Sequence, residues 1–506
     1  DRLRAELLRC APDDGAILHG SGIDRHLVGP GEHQRTHILD LAHAAAHRHR
    51  HEADFGGAPN DHVCAVCVGM PGVLPVLNKK AVEFGIRTGL ALNCKIAEDS
   101  RFDRKNYFYA DLPTGYQISQ FHYPIVTGGY IDIEVDGKPS KRIAITRLHL
   151  EQDAGKSIHD LHPDFSYIDL NRAGMALMEI VSEPEMRSSA EATAYVKKLR
   201  SLLRYLGTCD GNMEQGSLRV DANISLRRLG EPLGTRAEIK NVNSIRFLGQ
   251  ALEYEIYRQL EILEDGGAIV QETRLFDPSK GETRSMRGKE NAHDYRYFPD
   301  PDLKPLVVTA DRIEVIRAIM PELPDAKRNR FQTDYGLSDY DANVLVSEKE
   351  TADYYETIIK SSKSQDCKQA AKLCANWLIS EVFAAMNRES LLIHQLPFKP
   401  HHLAELIDLI IDGTISGKIA KDVFAKMWAT AKPPAELVAD LGLQQISDTN
   451  MIETTIDQIL TEHNDKVADY KAGKVQLFGF FVGLVMKAMK GKANPGLVND
   501  ILKNKL

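Results

Sequence analysis

The sequence predicts an α+β protein in which a mixed first half is followed by a helical second half. Three observations support this prediction: apolar and polar residues alternate in the first half, helix-capping signals separate these runs, and the alternation fades beyond Pro301. A chain of 506 residues is long enough for several domains of about 100–200 residues each.

A β-hairpin is expected in the first half. Apolar residues alternate on both sides of a glycine-containing loop at 136–137, namely Ile131, Ile133 and Val135 before it and Ile143 and Ile145 after it. Such a pattern is typical of two antiparallel strands joined by a short turn.

Two helices are predicted by their capping residues. Ser188 followed by Glu191 forms a capping box, and the apolar stripe after it ends at Gly207. A second helix is expected to follow Ser244 and to end before Gly266. Helices therefore alternate with the strands of the first half.

The second half is expected to be helical. Proline-rich sequence gives way to short helices up to Lys399, and the final helix has Asn494 as its cap and Pro495 at its first position. The predicted parts are a leader at 1–52, a mixed domain at 53–299, a helical domain at 300–399 and a helical tail at 400–506.

Composition excludes several classes of protein. The chain is 43% hydrophobic and 26% charged, with no apolar run near the roughly 18 residues of a membrane span. Its seven scattered cysteines argue against a disulfide framework. A net charge of −8 means that any contact with nucleic acid depends on a local basic patch.

Residues 1–52 differ from the rest in composition. Nine of the 18 histidines fall by His62, but without the regular spacing of a metal site. Seven arginines in the first fifty residues suggest a transit peptide, whereas Asp1, Glu6 and Asp13 argue against one. We expect an atypical, poorly ordered leader.

The segment SRFDRKNYFYADLPTGYQISQ combines cations with aromatic rings and has little apolar periodicity. Arg101, Arg104 and Lys105 are suited to phosphate oxygens, and the neighbouring tyrosines are suited to stacking on a base. The alternative is a solvated loop with aromatic anchors.

Paired carboxylates follow in ITRLHLEQDAGKS. Glu151 and Asp153 share one face if the segment is extended. The candidates to complete a magnesium site with them are Asp169, Asn171 and Glu179. The alternative is an ordinary acidic surface. A phosphate-binding P-loop is excluded, because Leu150 stands where that motif requires glycine.

A second polar group lies in GNMEQGSLRVDANIS and EIKNVNS. Strand alternation places Arg219, Asp221 and Asn223 on a common face. The further candidates are Glu214, Glu238, Lys240 and Asn243. This group is suited to a charged ligand, and equally to a buried salt-bridge network.

Two further features have competing interpretations. Cys64 and Cys67 have half of a zinc site's spacing, so buried thiols are expected rather than zinc. Residues 465–506 carry eight lysines against three aspartates, a local charge of +5. These lysines are suited to phosphate groups, or to stabilising helix C-termini.

Taken in order, seven segments resemble the GatB family, the B subunits of aspartyl/glutamyl-tRNA amidotransferases, from Phe55 to Leu506. They are FDRKNYFYADLPTGYQISQ, TRLHLEQDAGK, DLNRAGMALMEIVSEPE, GNMEQGSLR, IKNVNS, HDYRYFPDPDL and GKANPGLVNDIL. The resemblance implies a cradle-like α+β catalytic domain, then a helical domain and a YqeY-type helical tail that binds tRNA.

The resemblance also implies an activity and partners. A partner amidase and a small third protein would form a heterotrimer, the GatCAB complex, with this chain, which would use ATP and Mg²⁺ to convert Glu-tRNA(Gln) to Gln-tRNA(Gln). Asp-tRNA(Asn) is a second candidate substrate. The expected compartment is a bacterial cytosol or a mitochondrial or plastid matrix, with no membrane contact.

Functional residues are implied position by position. The implied roles are metal binding by Glu151, Gln152 and Glu179; catalysis by Glu151, Asp153, Glu179 and Lys105; phosphate binding by Arg104, Lys105 and Arg219; and tRNA binding by Lys474, Lys487, Lys490 and Lys492.

Two departures from the family pattern keep other functions open. The family's N-terminal strand with a Glu-x-His metal-binding pair is not recognisable in residues 1–52, and Gln152 stands where relatives often have glutamate. One alternative is a tRNA-binding scaffold with impaired kinase activity. Another is a free-standing kinase for small carboxylic acids, against which the basic tail and the helical half argue.

Overall fold

The computed structural model describes residues 2–8, 26–28, 64–135, 137–158, 162–286, 295–442, 449–489 and 493–506, the first two ranges by their backbone. Two compact units divide the chain, one through Leu323 and one formed by Pro324–Leu506. The predicted α+β class is confirmed, with strands in the first unit and helices in the second. The predicted domain limits at 52, 299 and 399 stay predictions.

The strands of the first unit form one large mixed sheet and three small ones. Their bounds are β1 (Arg2–Leu8), β2 (His26–Val28), β3 (Lys95–Ile96), β4 (Asp99–Ser100), β5 (Asp103–Asn106), β6 (Tyr116–Ser119), β7 (Val126–Thr127), β8 (Tyr130–Ile133), β9 (Lys141–Gln152), β10 (Lys156–Ile158), β11 (Ser166–Asp169), β12 (Ala176–Ser182), β13 (Leu218–Ile224), β14 (Ala237–Val242), β15 (Thr273–Asp277), β16 (Glu282–Ser285), β17 (Phe298–Pro299) and β18 (Leu306–Val307).

The large sheet has the order β16-β15-β14-β13-β1-β12-β9-β7-β3, and β8 also pairs with β9. Its neighbours run antiparallel except β14 and β15, which are parallel. The small sheets are β10-β11-β2, β17-β5-β6 and β18-β4. The β8–β9 pair confirms the hairpin predicted around 136–137.

Strand β1 occupies the middle of the large sheet, although no strand was recognised in the leader from sequence. Its residue Glu6 lies in register with Glu179 of β12 on one side and with Arg219 of β13 on the other. Residues 1–52 therefore contribute a strand to the large sheet, but this strand has no Glu-x-His pair, because Leu8 stands two residues after Glu6. Most of residues 1–52 lie outside the described residues, so the predicted disorder stays a prediction.

Helices cover one face of the large sheet. They are α1 (Lys79–Ala91), α2 (Ser189–Leu206), α3 (Ile245–Glu264) and α4 (Ala310–Ala318). Their apolar residues join those of the strands in one core, in which Tyr195, Leu199 and Leu248 are completely buried. The opposite face carries Arg219, Asp221 and other polar side chains, and is called the polar face below.

The helix limits predicted from capping residues are confirmed. The Ser188 hydroxyl accepts the Glu191 N–H, and Gly207 ends α2 in a left-handed conformation at φ 66°. Ser244 caps α3 by accepting the Phe247 N–H. These caps satisfy backbone donors that the first helical turn leaves unpaired.

The second unit is helical. Its helices are α5 (Pro324–Tyr335), α6 (Asp339–Val346), α7 (Lys349–Ser361), α8 (Cys367–Trp377), α9 (Phe383–Glu389), α10 (Pro400–Ile411), α11 (Gly417–Thr430), α12 (Pro434–Asp440), α13 (Thr449–Glu462), α14 (Asn464–Lys471), α15 (Leu477–Ala488) and α16 (Pro495–Lys505). A π-helical turn, Leu378–Val382, joins α8 to α9, and a 3-10 turn spans Ile393–Gln395.

The last four helices share a small core of their own. Ile452, Phe481, Val485 and Leu502 are buried in it, and Asn494 caps α16 as predicted. Among the described residues, every helix is too short or too polar to cross a membrane.

Candidate metal and phosphate site

A cluster of one imidazole and two carboxylates lies where β9 pairs with β12. His149 and Glu151 are two residues apart on β9, and Glu179 of β12 lies in register with His149. All three side chains are buried, and each offers a ligand atom within 4.8 Å of the others. Strand alternation explains this convergence, because residues two apart share a face.

Short contacts hold the cluster in place. The Ser119 hydroxyl of β6 donates to Glu151 Oε2 at 3.0 Å. His149 Nε2 lies 3.4 Å from the same oxygen and 3.9 Å from Glu179 Oε2. Arg147 Nε donates to His149 Nδ1 at 3.5 Å, and the other ring nitrogen, Nε2, faces the two carboxylates.

The donor set fits a divalent cation. Carboxylate oxygens are the ligands that Mg²⁺ prefers, and two of them leave room for water and phosphate oxygens in its shell. An imidazole also suits Mn²⁺ and other transition metals. Among the described residues, it is the one group of three or more His, Cys, Asp or Glu side chains whose ligand atoms all lie within 4.8 Å of one another.

Two of the three predicted metal ligands, Glu151 and Glu179, come together, whereas Gln152 does not join them. The Gln152 side-chain oxygen accepts the Ile118 N–H at 3.3 Å, and its carbonyl accepts the Gln117 amide. Gln152 therefore ties β9 to β6. The candidate ligand that sequence reasoning missed is His149, whose signal was its His-x-Glu spacing to Glu151.

Asp153 lies in an ion-pair chain on the polar face. Its carboxylate accepts Arg172 Nε at 3.1 Å and Arg219 Nη2 at 2.9 Å. The two arginine side chains are 33% and 39% exposed, so both guanidinium groups also reach solvent. Asp153 thus fixes two cations, and both interpretations left open for Arg219, a ligand site and a salt-bridge network, fit this arrangement.

Arg104 and Lys105 have different surroundings. Arg104 pairs with Asp300 at 3.0 Å and with Asp302 at 2.6 Å. Burial alone would lower the pKa of its guanidinium, but the hydrogen bond and charge of Asp300 raise it, with help from Asp302. The side chain is therefore already held by two carboxylates.

Lys105 faces aromatic rings. Its Nζ lies 5.1 Å from the ring centroid of Tyr295 and 5.9 Å from that of Tyr107. Burial, followed by the charges of nearby carboxylates including Glu151 and Asp153, raises the pKa of Tyr107. The Tyr107 phenol therefore stays protonated and lies within electrostatic reach of the cluster.

The predicted tRNA-binding lysines lie in the tail. Lys474 pairs with Asp469 at 3.0 Å, and its side chain is 65% exposed. Lys487 is exposed in the last turn of α15. Lys490 and Lys492 lie outside the described residues.

The two cysteines of the CxxC pair are free thiols whose sulfur atoms lie 3.1 Å apart. The hydrogen bond with Cys64 raises the pKa of Cys67, and burial raises it further. The Cys67 thiol is therefore protonated near neutral pH. The expectation of thiols rather than zinc stays a prediction.

Fold and site together define an α+β protein whose central sheet presents a carboxylate–imidazole centre beside arginines. Residues 44–314 match the family described as the GatB/GatE catalytic domain, and residues 353–506 match the GatB domain. The chain is 58% identical to the B subunit of the aspartyl/glutamyl-tRNA(Asn/Gln) amidotransferase of Azorhizobium caulinodans, over 89% of this chain and 90% of the relative.

Two further relatives carry the same name. The protein of Nitrobacter winogradskyi is 58% identical over 89% of this chain and 91% of its own length. The protein of Granulibacter bethesdensis is 57% identical over 89% of this chain and 92% of its own length. The chain therefore belongs to the family of aspartyl/glutamyl-tRNA(Asn/Gln) amidotransferase B subunits, as the resemblance of its motifs indicated.

Proposed function

We propose that this chain uses ATP to activate the side-chain carboxylate of glutamate carried on tRNA(Gln), which ammonia then converts to the amide. The observation that carries the proposal is the buried His149, Glu151 and Glu179 cluster, on a sheet face that also presents Arg219. Arg172, from the turn before β12, pairs with the same carboxylate as Arg219. Family membership supports it, because the relatives are named as parts of an amidotransferase for aspartyl- and glutamyl-tRNA.

The proposed chemistry has two balanced steps. Ammonia does not displace oxide from a carboxylate, so the carboxylate oxygen first attacks the γ-phosphorus of ATP, which gives an acyl phosphate and ADP. Ammonia then attacks the acyl carbon and inorganic phosphate leaves with the bonding electrons. The nitrogen loses a proton, and the product is Gln-tRNA(Gln).

Glu151 and Glu179, assisted by His149, would hold Mg²⁺ for the first step. A bound magnesium ion would screen the repulsion between the phosphate oxygens and the attacking carboxylate. The residues fit this task because two carboxylates and an imidazole place their ligand atoms within 4.8 Å of one another, and carboxylate oxygens are ligands that Mg²⁺ prefers.

Arg219 and Arg172 would bind phosphate oxygens, with Asp153 as the residue that positions them. A guanidinium group offers several donors in one plane and pairs well with phosphate. Because Asp153 accepts from both arginines, it is proposed to act through them rather than on the substrate.

Lys105 is proposed to contact the acyl phosphate from the side of Tyr107. Arg104 was assigned to phosphate on the same motif, but its two carboxylate partners favour a role in holding β5 against the 300–302 segment. Its phosphate-binding role stays a prediction.

The remaining parts of the proposal concern partners. The partner amidase would supply ammonia, the small third protein would complete the heterotrimer, and Lys474, Lys487, Lys490 and Lys492 would bind the tRNA backbone. Asp-tRNA(Asn) is proposed as a second substrate. The compartment, a bacterial cytosol or an organelle matrix, stays a prediction.

The proposal is tested on the full chain assembled with its amidase partner and its small third partner. Glu179→Gln keeps the side-chain shape and removes the charge, so we expect Glu-tRNA(Gln)-dependent ATP hydrolysis to fall about 100-fold. Asp132→Asn, an exposed hairpin carboxylate paired with Arg142, is the matched control and should retain activity.

Two results would count against the proposal. Full activity of Glu179→Gln would remove the cluster from the mechanism. A wild-type assembly that binds tRNA without hydrolysing ATP would instead favour the scaffold alternative.

A further inference from the structure

Strand β14 is interrupted by a bulge on the polar face. Ala222 of β13 pairs with Ile239, but Val220 pairs with Val242, so two residues of β14 lie opposite Asp221 alone. Ile239 and Val242 are both buried in the core although they are three residues apart. The bulge therefore keeps both apolar residues in the core and adds one residue to the strand, so that Lys240 and Asn241 stand where a regular strand has a single residue.

The bulge has an unusual backbone. Asn241 adopts a left-handed conformation at φ 63°, which is unfavourable for a residue with a Cβ and best tolerated by asparagine or aspartate. Its side-chain amide donates to the Phe276 carbonyl of β15 at 3.0 Å. Neighbouring strands thus hold a conformation that the chain alone would not favour, which is typical of functional sites.

The bulge presents Lys240 beside two carboxylates. Its Nζ lies 3.3 Å from Asp221 and 3.9 Å from Glu238, and its side chain is 41% exposed. The Asp221 side chain is only 15% exposed. The ammonium group therefore lies beside two acids, on a side chain that is partly exposed.

Lys240 lies on the same side of the sheet as the metal and phosphate site. Register aligns Glu179, Glu6 and Arg219 across three adjacent strands, so the α-carbons of Glu179 and Arg219 are about two strand spacings, roughly 10 Å, apart. Asp221, which holds Lys240, follows Arg219 by two residues on β13. A row of cations thus begins near the cluster and continues to β14.

We propose that Lys240 is a further substrate-binding residue, which contacts the phosphate chain of ATP beyond Arg219. This inference rests on the function proposed above, because it takes the cluster as the place of the γ-phosphate. ATP carries several charged phosphates in a line, and transfer requires each to be held. A lysine serves this purpose as a flexible point charge.

A purely structural ion pair explains the bulge less well. A lysine in regular register on β14 reaches a carboxylate on β13 without a left-handed asparagine, since cross-strand neighbours already lie about 5 Å apart. The left-handed backbone at Asn241 is explained if the bulge places the Lys240 ammonium group where it contacts a ligand.

The test measures binding of Mg·ATP by calorimetry and Glu-tRNA(Gln)-dependent ATP hydrolysis in the assembled heterotrimer. Lys240→Met removes the charge at similar length, and we expect the Kd and KM for ATP to rise about tenfold, the loss of one charge-assisted contact, with kcat and the KM for tRNA unchanged. Lys240→Arg should restore most of the affinity.

The matched variant is Asp221→Asn, which removes the partner but leaves the lysine. A ligand-binding Lys240 predicts that ATP affinity is retained or increased in this variant, whereas a structural ion pair predicts the same loss in both variants. Asn241→Gly, which tolerates the left-handed backbone, should also retain affinity and provides a folded comparison if Lys240→Met expresses poorly.

Three outcomes would overturn the inference: an unchanged Kd for ATP in Lys240→Met, equal losses in Lys240→Met and Asp221→Asn, or a rise in the KM for tRNA in place of that for ATP. If the wild-type protein binds ATP but does not hydrolyse it, only the proposed function is contradicted. The Kd values for ATP of Lys240→Met and Asp221→Asn, each relative to the wild type, would still decide whether Lys240 binds ATP.

Discussion

The sheet of the first unit and the four tail helices use charge in opposite ways. In the sheet, Glu151, Glu179 and Asp153 are buried and each has defined partners. In the tail, Lys474 and Lys487 are exposed. Buried charges require fixed partners, whereas exposed charges are solvated and weakly coupled.

This difference fits the two modes of recognition that the proposed function requires. The sheet holds its charged groups at fixed distances, as chemistry on a small reacting group requires. The tail offers exposed cations, which are suited to a long phosphate backbone and need no fixed geometry. Substitutions in the sheet should therefore have large and specific effects, and those in the tail small and additive ones.

The largest expected effect concerns Glu255 on α3, a completely buried carboxylate. It pairs with Arg258 at 2.5 Å and with Arg274 at 3.2 Å, and it accepts from Thr283 at 2.9 Å. Glu255→Ala removes the buried partner of both arginines and leaves them only the partly exposed Glu272 in common, so the free energy of unfolding should fall by about 3–5 kcal/mol, measured by denaturant unfolding.

Glu261→Ala on the same helix is the control for Glu255→Ala. Glu261 is exposed, so its replacement should change the free energy of unfolding by less than about 0.5 kcal/mol. Equal effects of the two substitutions would mean that the Glu255 network does not stabilise the sheet.

The pH dependence of stability should depend on the same residue. Burial alone would raise the pKa of Glu255, but hydrogen bonds from Arg258 and Gln259 and the charge of Arg258 hold it below its ordinary value of 4.5. A depressed pKa in the folded state means that this stabilisation is complete above about pH 4.5 and is lost as the pH falls through the folded-state pKa.

Glu255→Gln should therefore flatten the decrease in unfolding free energy between neutral pH and about pH 3 relative to the wild type. Denaturant titrations at a series of pH values provide the measurement. Identical pH profiles for the two proteins would show that another carboxylate controls acid sensitivity.

The smallest expected effect concerns the tail. Lys487→Ala should leave stability within about 0.5 kcal/mol and reduce the slope of log affinity for tRNA against log salt by about 0.7–0.9. Binding measured at several salt concentrations gives this slope. An unchanged slope would remove Lys487 from the RNA-binding surface, and a complete loss of binding would contradict the weak coupling of tail charges.

Local signals predicted much of this fold. The helix limits at Ser188, Gly207, Ser244 and Asn494 follow from side-chain caps and a glycine, which act over a few residues. Arg219 and Asp221 share a face because strands alternate. In these cases the sequence neighbours are also the physical partners.

The remaining features depend on contacts between distant residues. Arg104 and Asp300 are separated by 196 residues in the chain, so sequence alone did not show that this cation is already paired. His149 was missed because its partner Glu179 comes from another strand. The bulge at Lys240 and Asn241 contains no glycine, and it is visible only from the register of β13 and β14.

The central claim is that Glu151 and Glu179 hold a divalent cation, and Mn²⁺ binding followed by electron paramagnetic resonance tests it most directly. The wild-type chain in its heterotrimer should bind one Mn²⁺ ion that Mg²⁺ displaces, and this binding should be lost in the double variant Glu151→Gln/Glu179→Gln. Equal Mn²⁺ binding by the folded double variant would contradict the claim.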